Sequence, residues 1–162
     1  MYKRQVFGLA FELPEQVSRF SWYGRGPWEN YPDRRAGAGL GVYESTKKEQ
    51  LARYLKPQEC GMHMDTRRLV LETKDGEKLL FEAEKKPFHF SLLPYSPIEL
   101  ETALHREELP AQSHTWAVIA GAIRGVGGND SWGAPVYPEY EIPGDRDIIF
   151  EFSMGFISNH EE

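Results

Sequence analysis

Residues 68–83 read RLVLETKDGEKLLFEA. Two apolar runs, 68–73 and 78–83, flank a KDGE connection, and Asp75-Gly76 between such runs is a strong signal for a two-residue hairpin turn. Working outward from this predicted hairpin, residues 5–13 place Phe7, Leu9, Phe11 and Leu13 on one side and Val6, Gly8, Ala10 and Glu12 on the other. That two-residue period belongs to a strand. Residues 17–23 form a shorter candidate, and Pro14-Glu15 suits the connection because Pro donates no ladder hydrogen bond. Toward the C-terminus, 88–92, 115–123 and 147–154 complete at least seven short strands. No Gly-rich strand-to-helix turn of the nucleotide-binding kind lies among them. The expectation is an all-β sandwich.

Residues 24–40 lose this periodicity and carry Gly24, Gly26, Pro27, Pro32, Gly37 and Gly39, so they read as a long ordered loop in which Trp28 and Tyr31 are available for burial. One helix interrupts the strands. Ser96 precedes an N1 Pro97 and puts Glu99 at N3, a capping box that predicts a helix of two or three turns from Pro97 to about Glu107, with Leu100 and Leu104 as its apolar residues. Thr46-Lys47-Lys48-Glu49 offers a second box, followed by Leu51, Tyr54 and Leu55, for a short helix before Pro57. No internal repeat or linker divides the chain: residues 1–157 read as one domain and 158–162 as a frayed tail.

The chain has 162 residues, a formal charge of −6 and 40 % hydrophobic content, with nine Phe, eight Tyr and four Trp. It is too apolar for a disordered chain and long enough to bury a core. Cys60 is the single cysteine, which excludes an internal disulfide framework. No run approaches the roughly 18 apolar residues of a membrane span, and MYKRQVFG has no signal-peptide apolar region, so the expected location is cytoplasmic, away from membranes. The acidic balance argues against nucleic-acid binding, although Arg34-Arg35 and Thr66-Arg67-Arg68 are local basic spots.

Five histidines include no HExxH pattern, and only Cys60 with His63 has ligand-like spacing; two ligands do not make a structural zinc site, so no metal is expected. Two carboxylates across a cleft would suit glycosidic bond hydrolysis. The acidic residues least arbitrary for it are Glu29 and Asp33 in the long loop and Asp130 beside Trp132, although Asp in Gly/Pro-rich turns more often organises the backbone. Residues 125–133, GVGGNDSWG, follow a strand but lack the Lys-Ser/Thr and helix of a phosphate cradle. A tryptophan held there can either anchor the core or offer a flat apolar face to a sugar, with Asn129, Asp130 and Ser131 beside it for hydroxyl contacts.

Together, WYGRGPWENYPDR at 22–34, PQECG at 57–61, HMDTR at 63–67, LPYSPIELETALHREEL at 93–109 and RGVGGNDSWG at 124–133 resemble, in collinear order, the C-terminal or small-chain domain of bacterial beta-galactosidases of the lactose-operon type, in glycoside hydrolase family 2. The resemblance implies an antiparallel supersandwich similar to the galactose mutarotase-like fold. Its loop signature falls on Trp22, Gly24, Gly26, Pro27, Glu29, Asn30, Tyr31, Asp33 and Arg34. The family's catalytic glutamates and its magnesium and sodium ligands lie in preceding regions, so the resemblance implies no catalytic residue and no cofactor in this chain. It implies instead that Trp132 stands at the mouth of a galactoside pocket in an assembled, homo-oligomeric enzyme whose remaining domains or large subunit are this chain's partners. A rival reading is an independent carbohydrate-binding or purely structural sandwich. The family commonly has Asn where this chain has Met62 and Trp where it has Arg68. These departures would alter substrate preference if they lie near the pocket, or assembly if they lie at a subunit contact.

Overall fold

A computed structural model describes residues 5–13, 17–112 and 114–157. Its strands are β1 (Val6–Leu13), β2 (Val17–Gly26), β3 (Gly39–Ser45), β4 (His63–Thr66), β5 (Arg68–Thr73), β6 (Lys78–Ala83), β7 (Phe88–Leu93), β8 (Thr115–Ile123) and β9 (Phe152–Ile157), with a short helix α1 (Pro97–Thr102). They form two sheets, ordered β1-β8-β7-β4 and β3-β2-β5-β6-β9. All the ladders are antiparallel. The all-β expectation is met, and the KDGE hairpin has the predicted strands on either side of its turn, with Gly76 at φ 83°.

Alternation builds the core. Phe20, Trp22, Leu69, Leu71 and Phe81 from the second sheet meet Phe88, Phe90, Leu92, Ala117 and Ile119 from the first, all buried. Trp22 stacks on Phe20 and stands edge-on to Phe90, so aromatic rings fill the space between the sheets. Phe11 and Leu13 of β1 pack against the same cluster.

The sandwich stays open along one side. Met154 and Phe156 of β9 pair with Phe81 and Leu79, which fixes their side chains on the inward face of the second sheet. Yet Phe156 is 79 % exposed. Leu9 on the edge strand β1 pairs with the buried Ile119 and shares its inward face, but is 52 % exposed. Core-type side chains therefore continue past the last strands of both sheets.

Several expectations are corrected. Helix α1 stops at Thr102, where Ala103 turns to extended geometry, and a 3-10 turn follows at Arg106–Glu108. Its capping box forms, with Glu99 N–H donating to Ser96 Oγ at 3.1 Å and Ser96 N–H to Glu99 at 2.7 Å. Leu100 is the helix's only buried residue and Leu104 is 61 % exposed, so no apolar stripe carries the helix further. The second box closes a turn rather than a helix: Glu49 accepts from Thr46 N–H at 2.9 Å and Thr46 Oγ1 at 3.0 Å. The last strand begins at Phe152 instead of 147, and Ile149 ahead of it is exposed. Strands β3 and β4 lie where no strand is expected from the sequence, and β2 runs on to Gly26. Trp28 is exposed, leaving Tyr31 as the buried aromatic of the long loop. The Pro14-Glu15 connection and the 158–162 tail lie outside the described residues.

Over the outer face of the first sheet lies a second layer. Cys60, Leu93, Tyr95 and Leu100 form a buried cluster with Leu51, Ala52, Tyr54 and Leu109 around it. Tyr31, Met62, Met64 and Ile123 form another, packed with Val6. Between these layers opens a cleft of about 720 Å³.

Candidate functional site

The 22–34 signature is a scaffold whose groups are spent on backbone. Trp22 Nε1 donates to Arg25 O at 3.0 Å, and the Arg25 guanidinium donates to Ala38 O at 2.8 Å and pairs with Asp65 at 2.6 Å. Added Cβ atoms at Gly24 and Gly26 would lie 2.6 Å from Thr66 Oγ1 and 2.9 Å from the Trp22 ring, so close approach requires glycine at both. Pro27 follows on the exposed turn. Glu29 accepts from Gly61 N–H at 2.7 Å and from the Tyr54 hydroxyl. Burial and that bond push the Tyr54 hydroxyl up to about 12, so it remains a donor. Asn30 is wholly buried, with Nδ2 donating to Trp28 O at 3.0 Å and Oδ1 accepting from Met64 N–H at 2.9 Å. Arg34 closes a local bridge with Tyr31, its N–H donating to Tyr31 O at 2.8 Å.

Asp33 connects this scaffold to the glycine-rich loop. Its carboxylate accepts from Val126 N–H at 3.1 Å and Gly127 N–H at 2.7 Å. Farther along, Asp130 accepts from Trp132 N–H at 2.8 Å and Ala134 N–H at 3.1 Å, an Asx-type turn that holds the Asp130 carboxyl below its usual range. Asn129 reaches Pro135 O at 3.5 Å, and Val136 is buried behind the loop. Ser131 is exposed. At the turn's tip, Trp132 is 93 % exposed. It is not a core anchor, and its indole lies free for a neighbour.

The acidic residues considered for hydrolysis thus serve structure: Glu29, Asp33 and Asp130 each bind two partners, mostly backbone amides. Cys60 and His63 go to different clusters. His63 lies between Trp22 and Phe90 with Nε2 against Gln50 Oε1 at 3.0 Å, and burial pulls its pKa down to about 4. The buried Cys60 thiol is pushed up to about 12 by burial. No three His, Cys, Asp or Glu side chains converge as a metal cage among the described residues.

Sequence reading missed the cleft. Its walls include Tyr31, Glu59, Arg124 and the start of the glycine-rich loop, Gly125 to Gly128. Burial drives the Glu59 carboxyl up to about 7, with the nearby Tyr31 hydroxyl pulling the other way. The site could not be found from spacing because its parts are 31, 59 and 124. Of the two family departures, Met62 is buried and lines this cleft, whereas Arg68 is exposed on β5 with Glu82 at 3.7 Å.

The molecule is a two-sheet antiparallel β-sandwich. Residues 3–154 match the family model described as beta galactosidase small chain, and the chain belongs to that family. It is 44 % identical over 161 residues to the beta-galactosidase small subunit of Latilactobacillus sakei, covering 93 % of this chain and 50 % of that protein. It is 42 % identical to beta-galactosidase BgaC of Bifidobacterium adolescentis and 38 % identical to a beta-galactosidase of Halalkalibacterium halodurans, in each case over 92 % of this chain. The chain spans only 14 % and 15 % of those two proteins. Among the described residues, no helix is long and apolar enough to cross a membrane.

Proposed function

We propose that this chain is a noncatalytic part of a cytoplasmic beta-galactosidase acting on terminal beta-D-galactosides such as lactose, and that it supplies Trp132 to the wall of the galactoside pocket. The carrying observation is the exposed Trp132 at the tip of a turn fixed by Asp130 and anchored at its base by Asp33. An indole so placed offers its face to sugar C–H groups from a turn whose backbone is already fixed. In this reading the acid/base and nucleophilic glutamates, with magnesium and sodium, belong to the rest of the enzyme. Retaining hydrolysis uses one carboxylate as nucleophile and one as acid and then base. Trp132 contributes by holding the leaving sugar in register.

The partner is the remainder of the small chain and the domains beyond it. The open side of the sandwich supports this, because Leu9, Met154 and Phe156 present inward-type surface at the sheet edges, and the chain corresponds to half of the Latilactobacillus sakei small subunit. Homo-oligomeric assembly of the whole enzyme belongs to the same reading. The test is complementation. The purified chain should not hydrolyse a chromogenic galactoside, and adding the remaining enzyme portion in trans should restore hydrolysis. Turnover by the chain alone would overturn the division of labour.

A further inference from the structure

The second sheet ends on one side at β9 and on the other at β3, so a neighbour that covers β9 leaves β3 as a free edge. A sheet edge carries a row of unpaired N–H and C=O groups, and proteins ordinarily blunt it with a bulge, with shortness or with charge. Both edges of the first sheet are blunted: the register of β1 slips between Phe7 and Gly8, and β4 has four residues. Strand β3 is not. It runs for seven residues, pairs with β2 without a register shift, and holds no Lys, Arg or Pro and one acidic residue, Glu44. Along it Val42 is 76 % exposed and Leu40 50 %.

The strand that fits this edge is a second copy of itself. A twofold axis perpendicular to the sheet keeps every residue on its own face and pairs positions equidistant from the axis, which closes the assembly at two chains. An axis at Val42, the midpoint of β3, is the one that engages the whole strand. On the outer face it brings the two Val42 side chains together, and because Tyr23 of β2 pairs with Val42, a row of four apolar groups crosses the junction. On the inner face Tyr43 of each copy falls opposite Gly41 of the other, where no side chain competes. Glu44, already paired with Arg19 at 3.7 Å, falls opposite Leu40, so no like charges meet.

We propose that β3 is a homodimer contact, in which two copies pair antiparallel about Val42 and join their five-stranded sheets into one continuous sheet. One strand from each side is a small interface, so the dimer is reversible, with a Kd in the micromolar range. The contact does not rest on the galactosidase reading: it lies at the edge opposite β9, and Trp132 takes no part in it.

The whole chain, Val42→Lys and Phe156→Lys are each sedimented at concentrations from about 1 µM to about 300 µM, which spans that range. The parent should pass reversibly from monomer to dimer. Val42→Lys sets two ammonium groups together at the axis and should raise the Kd by at least about tenfold, with the melting temperature of the monomer unchanged because this side chain is exposed. Phe156→Lys, at the far edge of the sheet, should dimerise as the parent does. Amide exchange of the parent should slow with concentration within 39–45 and stay constant at 152–157. The proposal is overturned by a parent that is monomeric at every concentration, by a Val42→Lys dimer as tight as the parent's, or by association that Phe156→Lys abolishes. That last result would assign self-association to the open flank instead.

Discussion

Asp33 accepts a hydrogen bond from the backbone N–H of Gly127 at 2.7 Å, joining segments 94 positions apart. The two most distinctive stretches of the chain are therefore one structural unit, in which the first sets the height and direction of the second. Gly125 lies in the same contact, since a Cβ there would stand 2.6 Å from Asp33 Oδ2 and 2.9 Å from Tyr140 Cβ.

Replacing Asp33 with Ala removes the acceptor for two amides, and Gly125→Ala pushes the carboxylate away while leaving it in the chain. Both should lower stability by about 1–3 kcal/mol, the usual cost of unpairing charge-assisted bonds. Faster amide exchange at Val126 and Gly127 should accompany the loss. Unaltered exchange in both variants would mean that the loop holds itself.

Trp132→Ala should leave the melting temperature nearly unchanged, because an indole this exposed contributes little to the fold; substitutions at such positions stay within about 0.5 kcal/mol. In the assembled enzyme the same change should raise KM for galactosides. Kinetics on the complemented enzyme check the second half and thermal unfolding checks the first.

Asn30→Ala should be among the most damaging polar substitutions. It strips the acceptor from the Met64 N–H and the donor to Trp28 O at a wholly buried position, a loss of about 2–3 kcal/mol. Asn30→Asp retains the acceptor but loses the donor, and should also unfold at lower denaturant concentration than the parent.

Two buried groups act on stability in opposite directions with pH. His63, whose pKa falls from 6.5 in the open chain to about 4 when folded, is held neutral. The unfolded chain takes up the proton first, so stability falls as pH drops from 6.5 through 4, by about 3 kcal/mol in all. Glu59, raised from 4.5 to about 7, binds its proton more tightly when folded. Its stabilising effect is complete below 4.5 and is lost as pH rises through 7. Denaturant melts across pH 4–8 should show Glu59→Gln gaining stability relative to the parent at the alkaline end. His63→Gln should flatten the acid limb.

How much of this was legible beforehand depends on range. The 68–83 hairpin and the strand at 115–123 emerge with their bounds intact, because turn chemistry and alternation are local. β3 is masked by Gly39 and Gly41, and β4 by its four-residue length, so neither has enough period to be seen. The helix from Pro97 is shorter than its sequence suggests because Leu104, apolar in sequence, lies mostly exposed and gives the next turn no buried face. Loop carboxylates at 29, 33 and 130 were visible as turn organisers, yet their partners at 61 and 127 were not. The cleft was hidden for the same reason: Tyr31, Glu59 and Arg124 meet only after the sheets have closed.

The uncovered flank at Leu9, Met154 and Phe156 has a cellular consequence. A copy that has not met its neighbour exposes the kind of surface that chaperones and proteases act upon. Under the assembly proposed above, its lifetime would then depend on the supply of that neighbour, and copies in surplus would be cleared rather than stored.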